Sequence, residues 1–270
     1  MQYTPETTAL RRFGASAGAL LALSLLAWSP AASAQIVNVQ SLIVDPAREG
    51  FGGAVDASLD LRTGNTDLLL VSASLLLRYR AGRHLLFGIG RQELGMESGA
   101  RFLSRDFEHL RYRLSLEDWL EAETFVQHDR DEFRRVAWRL LWGLGPRFLL
   151  ATTDTMSLAV GSAYMLEIER LDRAPLPDSG ERHLAHRSSS YVAFSLRLND
   201  RLRLGESLYV QPRLDRPIDT RVLNETELGV DLEQRLLLKL TFSLSYDAFP
   251  PAGRAGLDTA TKTSVQIRFR

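Results

Sequence analysis

Acid–base or metal chemistry in this chain has to come from carboxylates and from five histidines, because cysteine is absent. Without thiols there is no thiolate nucleophile, no disulfide and no cysteine-based metal site. The histidines are His84, His109, His128, His183 and His186. His183 and His186 stand three apart with Glu181 close by, a spacing that suits two ligands on one helical turn. Pro175, Pro177 and Gly180 lie just upstream and argue against a long helix, so the pair reads as part of a solvated loop and no metal site is expected. Ser188, Ser189 and Ser190 follow His186 and raise the question of a phospholipase-like hydrolase. Such an enzyme needs a serine beside a histidine base, with a third group orienting that base. Adjacency along the chain does not supply that geometry, and no motif matches. Neither a catalytic residue nor a cofactor is expected.

A larger set of charged residues shares one property: each falls on the polar side of a segment with a two-residue period. The set is Asp56, Asp60, Arg78, Arg111, Arg113, Glu123, Arg135, Arg139, Arg147, Glu167, Arg197, Arg203, Arg213, Glu225, Glu227, Asp231, Lys239 and Asp247. Both signs occur in comparable number. If these side chains face a common interior, they form either a ladder of mutually satisfied ion pairs or a polar conduit whose charges select solutes. The ladder is the expectation of lower cost, because an unpaired charge in a low-dielectric wall is expensive.

The clearest positioning element runs from Arg235 to Asp247. Leu236, Leu238, Leu240, Phe242, Leu244 and Tyr246 point one way, and Leu237, Lys239, Thr241, Ser243, Ser245 and Asp247 the other. Successive side chains of a strand lie on opposite faces, so the segment has one apolar face and one mostly polar face. The same period begins at Phe51 and recurs through Val55–Arg62, Leu69–Arg80 and a third segment led by Leu85, Phe87 and Ile89 that ends near Gly95. After a loop over 96–105 it returns around Leu110–Leu114, then at Leu120–Gln127, Val136–Phe148 and Met156–Glu169. A polar loop over 172–181 precedes Val192–Leu198, Leu202–Val210, Val222–Leu232, the Arg235–Asp247 segment and a last one at Val265–Phe269. That makes twelve. Short connections alternate with longer or more polar ones (95–105, 128–134, 170–187, 214–220 and 248–258), the plan of an up-and-down barrel with short turns on one rim and loops on the other. A β-sandwich would have shorter strands and a solvated outer face. The expected fold is therefore all-β, a transmembrane antiparallel up-and-down β-barrel of about twelve strands.

Residues 1–34 read as an export signal. Arg11 and Arg12 precede a short apolar core, Ser29-Pro30 breaks it, and Ala32-Ser33-Ala34 fits a cleavage site. Residues 35–50 read as a periplasmic lead-in and 51–270 as the barrel. No later apolar run is long enough for a transmembrane helix. Basic and acidic residues balance at 33 each, so no global positive field points to nucleic acid.

Several runs resemble one family: Gly64-Asn65-Thr66-Asp67, His109-Leu110-Arg111-Tyr112, Asp131-Glu132-Phe133-Arg134-Arg135 and Gly143-Leu144-Gly145-Pro146-Arg147-Phe148. Tyr209-Val210-Gln211-Pro212-Arg213-Leu214, Leu223-Asn224-Glu225 and Phe242-Ser243-Leu244-Ser245-Tyr246-Asp247 with Pro250-Pro251 continue the match in order. The chain thereby resembles the DUF481 family, the YdiY-like group of salt-induced outer-membrane proteins. The resemblance implies an outer-membrane barrel and a link to envelope salt stress, with no activity or catalytic residue to carry over. Outer-membrane barrels usually end on an aromatic residue, whereas here Phe269 is followed by Arg270. The expected partners are outer-membrane lipid, the barrel-assembly machinery and a small solute or ion. The expected function is a Gram-negative outer-membrane barrel that passes small solutes or serves the envelope structurally. A hydrolase and an anchor for envelope components are the other classes.

Overall fold

The computed structural model describes residues 49–63 and 67–269. The export signal, nearly all of the lead-in and the Gly64-Asn65 turn lie outside the described residues. Twelve strands follow one another among them: β1 Gly50–Arg62, β2 Leu68–Ala81, β3 His84–Glu97, β4 Ala100–Glu117, β5 Leu120–Asp131, β6 Val136–Thr152, β7 Met156–Leu171, β8 Arg182–Arg197, β9 Leu202–Pro212, β10 Thr220–Asp231, β11 Leu236–Asp247 and β12 Leu257–Phe269. Each pairs antiparallel with its neighbours in sequence, and β1 pairs with β12 to close the barrel. Closure pairs the two terminal strands, which removes the free edges that an open sheet would leave. The closing seam is short, running from Gly53↔Phe269 to Ala57↔Val265, while β1 is paired with β2 along its whole length.

Alternation decides which face is which. In β11, Leu238, Leu240, Phe242 and Tyr246 are exposed on the outside, while Leu237, Lys239, Ser245 and Asp247 are buried inside. The same outward apolar set recurs at Val55, Leu75, Leu110, Val126, Trp142, Tyr164, Val192, Leu208 and Val265. β3 departs from it. Leu85, Phe87 and Ile89 are buried inside, where they join Ala54, Leu76 and Phe107 in an apolar cluster. Here hydrocarbon fills part of the interior beside the inward-facing charges of Arg78 and Glu93.

The rims differ from the sequence reading in three places. β4 begins at Ala100, so the expected 96–105 loop is only the Ser98-Gly99 turn. Both residues have positive φ, 48° and 80°, as a two-residue hairpin turn of this hand requires. β8 begins at Arg182, so His183 and His186 stand on a strand and not in a loop. β12 begins at Leu257, eight residues before the expected Val265. In the last two places polar residues on both faces hid the period. The longer connections over 172–181, 213–219 and 248–256 share one rim, and the turns over 82–83, 118–119, 153–155, 198–201 and 232–235 share the other.

Candidate functional site

Among the described residues, charged side chains converge most densely in the interior of the barrel. At mid-height its centre is Glu123 on β5, 1% exposed. One carboxylate oxygen, Oε2, accepts from Arg111 Nη1 at 3.1 Å and from Arg113 Nε at 3.2 Å. The other accepts from the Tyr191 hydroxyl at 2.8 Å. Tyr191 belongs to β8, so this bond crosses the interior instead of following the wall. The Arg111 guanidinium lies 4.8 Å from the Phe125 ring centre and that of Arg113 lies 5.1 Å from Phe87. Each cation is thus capped by an aromatic face as well as paired with the anion. Tyr191 reaches the centre because Gly161, its partner on β7, has no side chain. A Cβ there would sit 2.3 Å from the tyrosine ring.

Nearer the long-loop rim a second anion gathers cations. Glu167 Oε2 accepts from Arg221 Nη1 at 2.6 Å and lies 3.3 Å from Arg187 Nε. Arg221 also donates to Asp247 at 2.9 Å, and Arg139 donates to Asp129 at 3.2 Å. Between the two centres lies a cavity of about 20 Å³, lined by side chains from β4 to β10 that include Arg111, Gln127, Glu167, Tyr209 and Arg221. That space holds about one water molecule.

Toward β1 and β12, Lys239 bridges Asp56 and Glu227, each at 3.2 Å. Gln266 donates to Asp56 at 2.7 Å, and Asp231 pairs with both Arg203 and Arg268. Arg147 donates to Glu121 at 2.5 Å. At the long-loop rim, Arg105 pairs with Asp131 at 2.7 Å, and Arg134 in the β5–β6 turn reaches Asp258 on β12 at 3.0 Å, spanning the barrel mouth. Burial, with Arg105 close by, brings the Arg134 guanidinium down to about 9, so it stays charged at neutral pH.

Arg135, expected on the inward face of a strand, stands instead in the β5–β6 turn, at φ 65°, and ties two loops together. Its Nε donates to Asp172 at 3.0 Å, and Nη1 to Asp178 at 2.6 Å and to the Ala252 carbonyl at 3.1 Å. The Ala252 amide returns a bond to the other Asp178 oxygen at 2.8 Å. Burial pushes the Asp178 carboxyl up, but the Ala252 amide and Arg135 outweigh it and hold it below the usual carboxylate range.

Arg78, Glu225 and Glu227 face inward on their strands, Asp60 lies partly buried on β1, and Arg197 is exposed at the short-turn rim. Arg213 lies just beyond β9, paired with Asp215 and Asp219. Sequence reasoning left out Arg187, Arg221, Asp129 and Tyr191. Their parity along β5, β8 and β10 is the signal that would have found them.

The histidines meet aromatic, hydroxyl or carboxylate neighbours. His109 is buried inside, stacked against Phe107 and Phe125, with Nδ1 3.1 Å from Gln127 Oε1. His186 faces outward and pairs with the Tyr164 hydroxyl at 2.5 Å instead of with a serine. Ser189 is inside and accepts from Gln211, whereas Ser188 and Ser190 contact each other outside. Among the described residues no cluster of metal-ligating groups occurs.

A family model described as "Protein of unknown function, DUF481" matches residues 55–269. The chain belongs to this family. No curated protein matches the sequence. Among solved structures this DUF481 chain is similar to the translocator domain of the autotransporter NalP from Neisseria meningitidis, at 12% identity and TM-score 0.49, over 84% of this chain and 90% of that one. It is similar to the NanC porin at 11% identity and TM-score 0.48, over 80% and 97% of the two chains. It is also similar to the KdgM porin in complex with disordered oligogalacturonate, at 9% identity and TM-score 0.43, over 82% and 99%. These likenesses concern fold alone, and the fold resembles that of outer-membrane proteins.

Proposed function

We propose that the chain is a Gram-negative outer-membrane barrel, exported by its N-terminal leader, whose lumen is shut by its own side chains. In this reading it is a non-enzymatic structural or docking barrel of the envelope and not an open porin. The observation that carries it is the cross-lumen bond from Tyr191 to Glu123, with Arg111 and Arg113 locked to the same carboxylate and space for about one water alongside. A solute-conducting pore needs a continuous wet path, and here the charges that would line one are spent on each other. The apolar outer band supports placement in lipid, and the longer loops on one rim fit the external side of such barrels.

The test is planar-bilayer recording of the purified, refolded full-length protein in molar potassium chloride. The expected result is insertion, shown by heat-dependent gel mobility, without steady conductance. Discrete, reproducible channels of the wild type would overturn the closed reading in favour of small-solute passage.

A further inference from the structure

The outer face of the barrel carries a second concentration of charge that none of the interior chemistry uses. Arg170 on β7 and Arg182 on β8 are directly opposite each other in the register. Both lie on the outward side, because their neighbours Glu169 and Ala185 are buried inside. Directly below them stand the registered pair Ile168 and Leu184, the latter 60% exposed, at the upper end of the apolar band. Trp138 on β6 is registered with Arg170 on its other side. One strand further, on β5, the outward Arg130 is 53% exposed and its nearest carboxylate, Asp106, is 3.7 Å away. The sequence Arg–Trp–Arg–Arg thus runs along the rim over four adjacent strands, roughly 14 Å at the usual strand spacing.

Like charges opposite one another on neighbouring strands destabilise a sheet. Inside the barrel, by contrast, Arg111, Arg187 and Arg221 each meet a carboxylate. Glu181 could answer Arg182 from the next position, but it pairs with His183. Asp172 is held by Arg135. An anion from outside the chain is therefore the missing partner, and its height limits its source. A group one residue pair above Ile168 and Leu184, beside an interfacial tryptophan, lies at the level of lipid headgroups.

We propose that Arg170 and Arg182, flanked by Trp138 and Arg130, form a binding site for the phosphate of a lipid headgroup in the leaflet at the long-loop rim. Two guanidiniums side by side offer paired N–H donors that match phosphate oxygens, and an exposed Leu184 beneath them offers contact for the first methylenes of an acyl chain. The inference rests on the membrane placement proposed above.

The test uses full-length protein refolded into phosphatidylcholine nanodiscs containing either phosphatidic acid or phosphate-free diacylglycerol, with bound lipid counted by native mass spectrometry after release. The wild type should retain phosphatidic acid over diacylglycerol. R170Q/R182Q should retain at least about tenfold less, the factor that one lost charge-assisted contact carries. R170K/R182K should keep much of the selectivity, which a merely structural role would not predict. Equal retention by the wild type and R170Q/R182Q would overturn the site. Displacement of the lipid by millimolar inorganic phosphate would overturn the lipid as its ligand and leave a free-phosphate site. Absence of selectivity in the wild type with heat-shifted mobility intact sinks this inference alone, whereas failure of the wild type to insert at all sinks the membrane reading with it.

Discussion

Replacing Glu123 by alanine removes the one anion that three side chains share. Arg111 Nη1, Arg113 Nε and the Tyr191 hydroxyl would then lose their acceptor together, with both arginine side chains 3% exposed. The aromatic caps cannot compensate, since the faces of Phe125 and Phe87 already lie against those cations in the wild type. Removing one partner of a buried ion pair costs about 3–5 kcal/mol because it strands the other charge. Arg111 keeps its bond to His109 at 3.2 Å, and the cost of Glu123→Ala falls within that range. Tyr191→Phe removes a single bond to a charged acceptor and should cost about 1.5–3 kcal/mol. Arg111→Ala combined with Glu123→Ala also removes one of the two cations that share the carboxylate. Its cost should fall short of the sum of the single changes, by a coupling of about 0.5–3 kcal/mol. Urea titration of each variant in phosphatidylcholine vesicles, read by tryptophan fluorescence and heat-dependent gel mobility, gives these differences. A Glu123→Ala variant within about 1 kcal/mol of wild type, or one less affected than Tyr191→Phe, would show that water reaches the arginines. The closed-lumen reasoning would then fall.

Other consequences follow from the same contacts. Arg135→Ala should release the loops at 172–181 and 248–256 to limited proteolysis. Arg135→Gly relieves the left-handed backbone while losing the same bonds, so it should be more stable than the alanine variant by about 0.5–1 kcal/mol in the urea titration. Because the Asp178 carboxyl is held below its usual range in the folded state, its contribution is complete above the unfolded value of about 3.9. That contribution disappears as pH falls through the lower folded value, so acid should expose the same two loops to hydrogen exchange before the strands. Gly161→Ala should drive the Tyr191 ring away and destabilise by about 1–3 kcal/mol, and a crystal structure of that variant should show the Tyr191 hydroxyl beyond hydrogen-bond reach of Glu123. Ser188→Ala, Ser189→Ala and Ser190→Ala together should leave any lipase signal of the purified protein unchanged, and an activity abolished by that variant would make the chain an enzyme.

Much of the barrel was legible in the sequence because the outer face of most strands is apolar where the inner face is polar. β11 is the clearest case, its strand from Leu236 to Asp247 matching the alternation residue for residue. That alternation lapses where a strand rises above the apolar band. The first half of β4 (Arg101, Arg105, Asp106 and Glu108) and the start of β8 (Arg182, His183, His186 and Arg187) are polar on both faces, so they read as loops although they are paired strand. Arg187 was missed for that reason. Arg135 was assigned to an inward face because the two-residue count was carried back past the β6 boundary into a turn. Which charges meet was beyond the sequence altogether. The Tyr191–Glu123 bond joins residues 68 apart on strands that are not neighbours, and only closure of the barrel sets that distance.

The interior charges also answer a question that stability alone does not. With hydrocarbon outside, an equally apolar inside would make the two faces of every strand interchangeable, and a slip of one residue would cost little. Slipping β11 by one position would instead carry Lys239 and Asp247 to the outer face and bring Leu238, Leu240 and Phe242 inward. A basic side chain on the lipid face costs about 2–4 kcal/mol at the midplane, so the charged interior fixes the register strand by strand. β3 has this device only in its second half, where Glu93 pairs with Arg105 and Lys262, whereas in its first half Leu85, Phe87 and Ile89 point in and Leu86 points out. There the register depends on features outside the strand's own alternation. The Ser98-Gly99 turn holds one end, and Phe87 under the Arg113 guanidinium holds the middle. The half-strand with the weakest inside–outside signal is thus locked by the same arginine pair that closes the lumen. Loosening Glu123 should therefore loosen β3 first, and hydrogen exchange at Leu85–Ile89 rising ahead of that at β11 in Glu123→Ala is the observation that would establish the link.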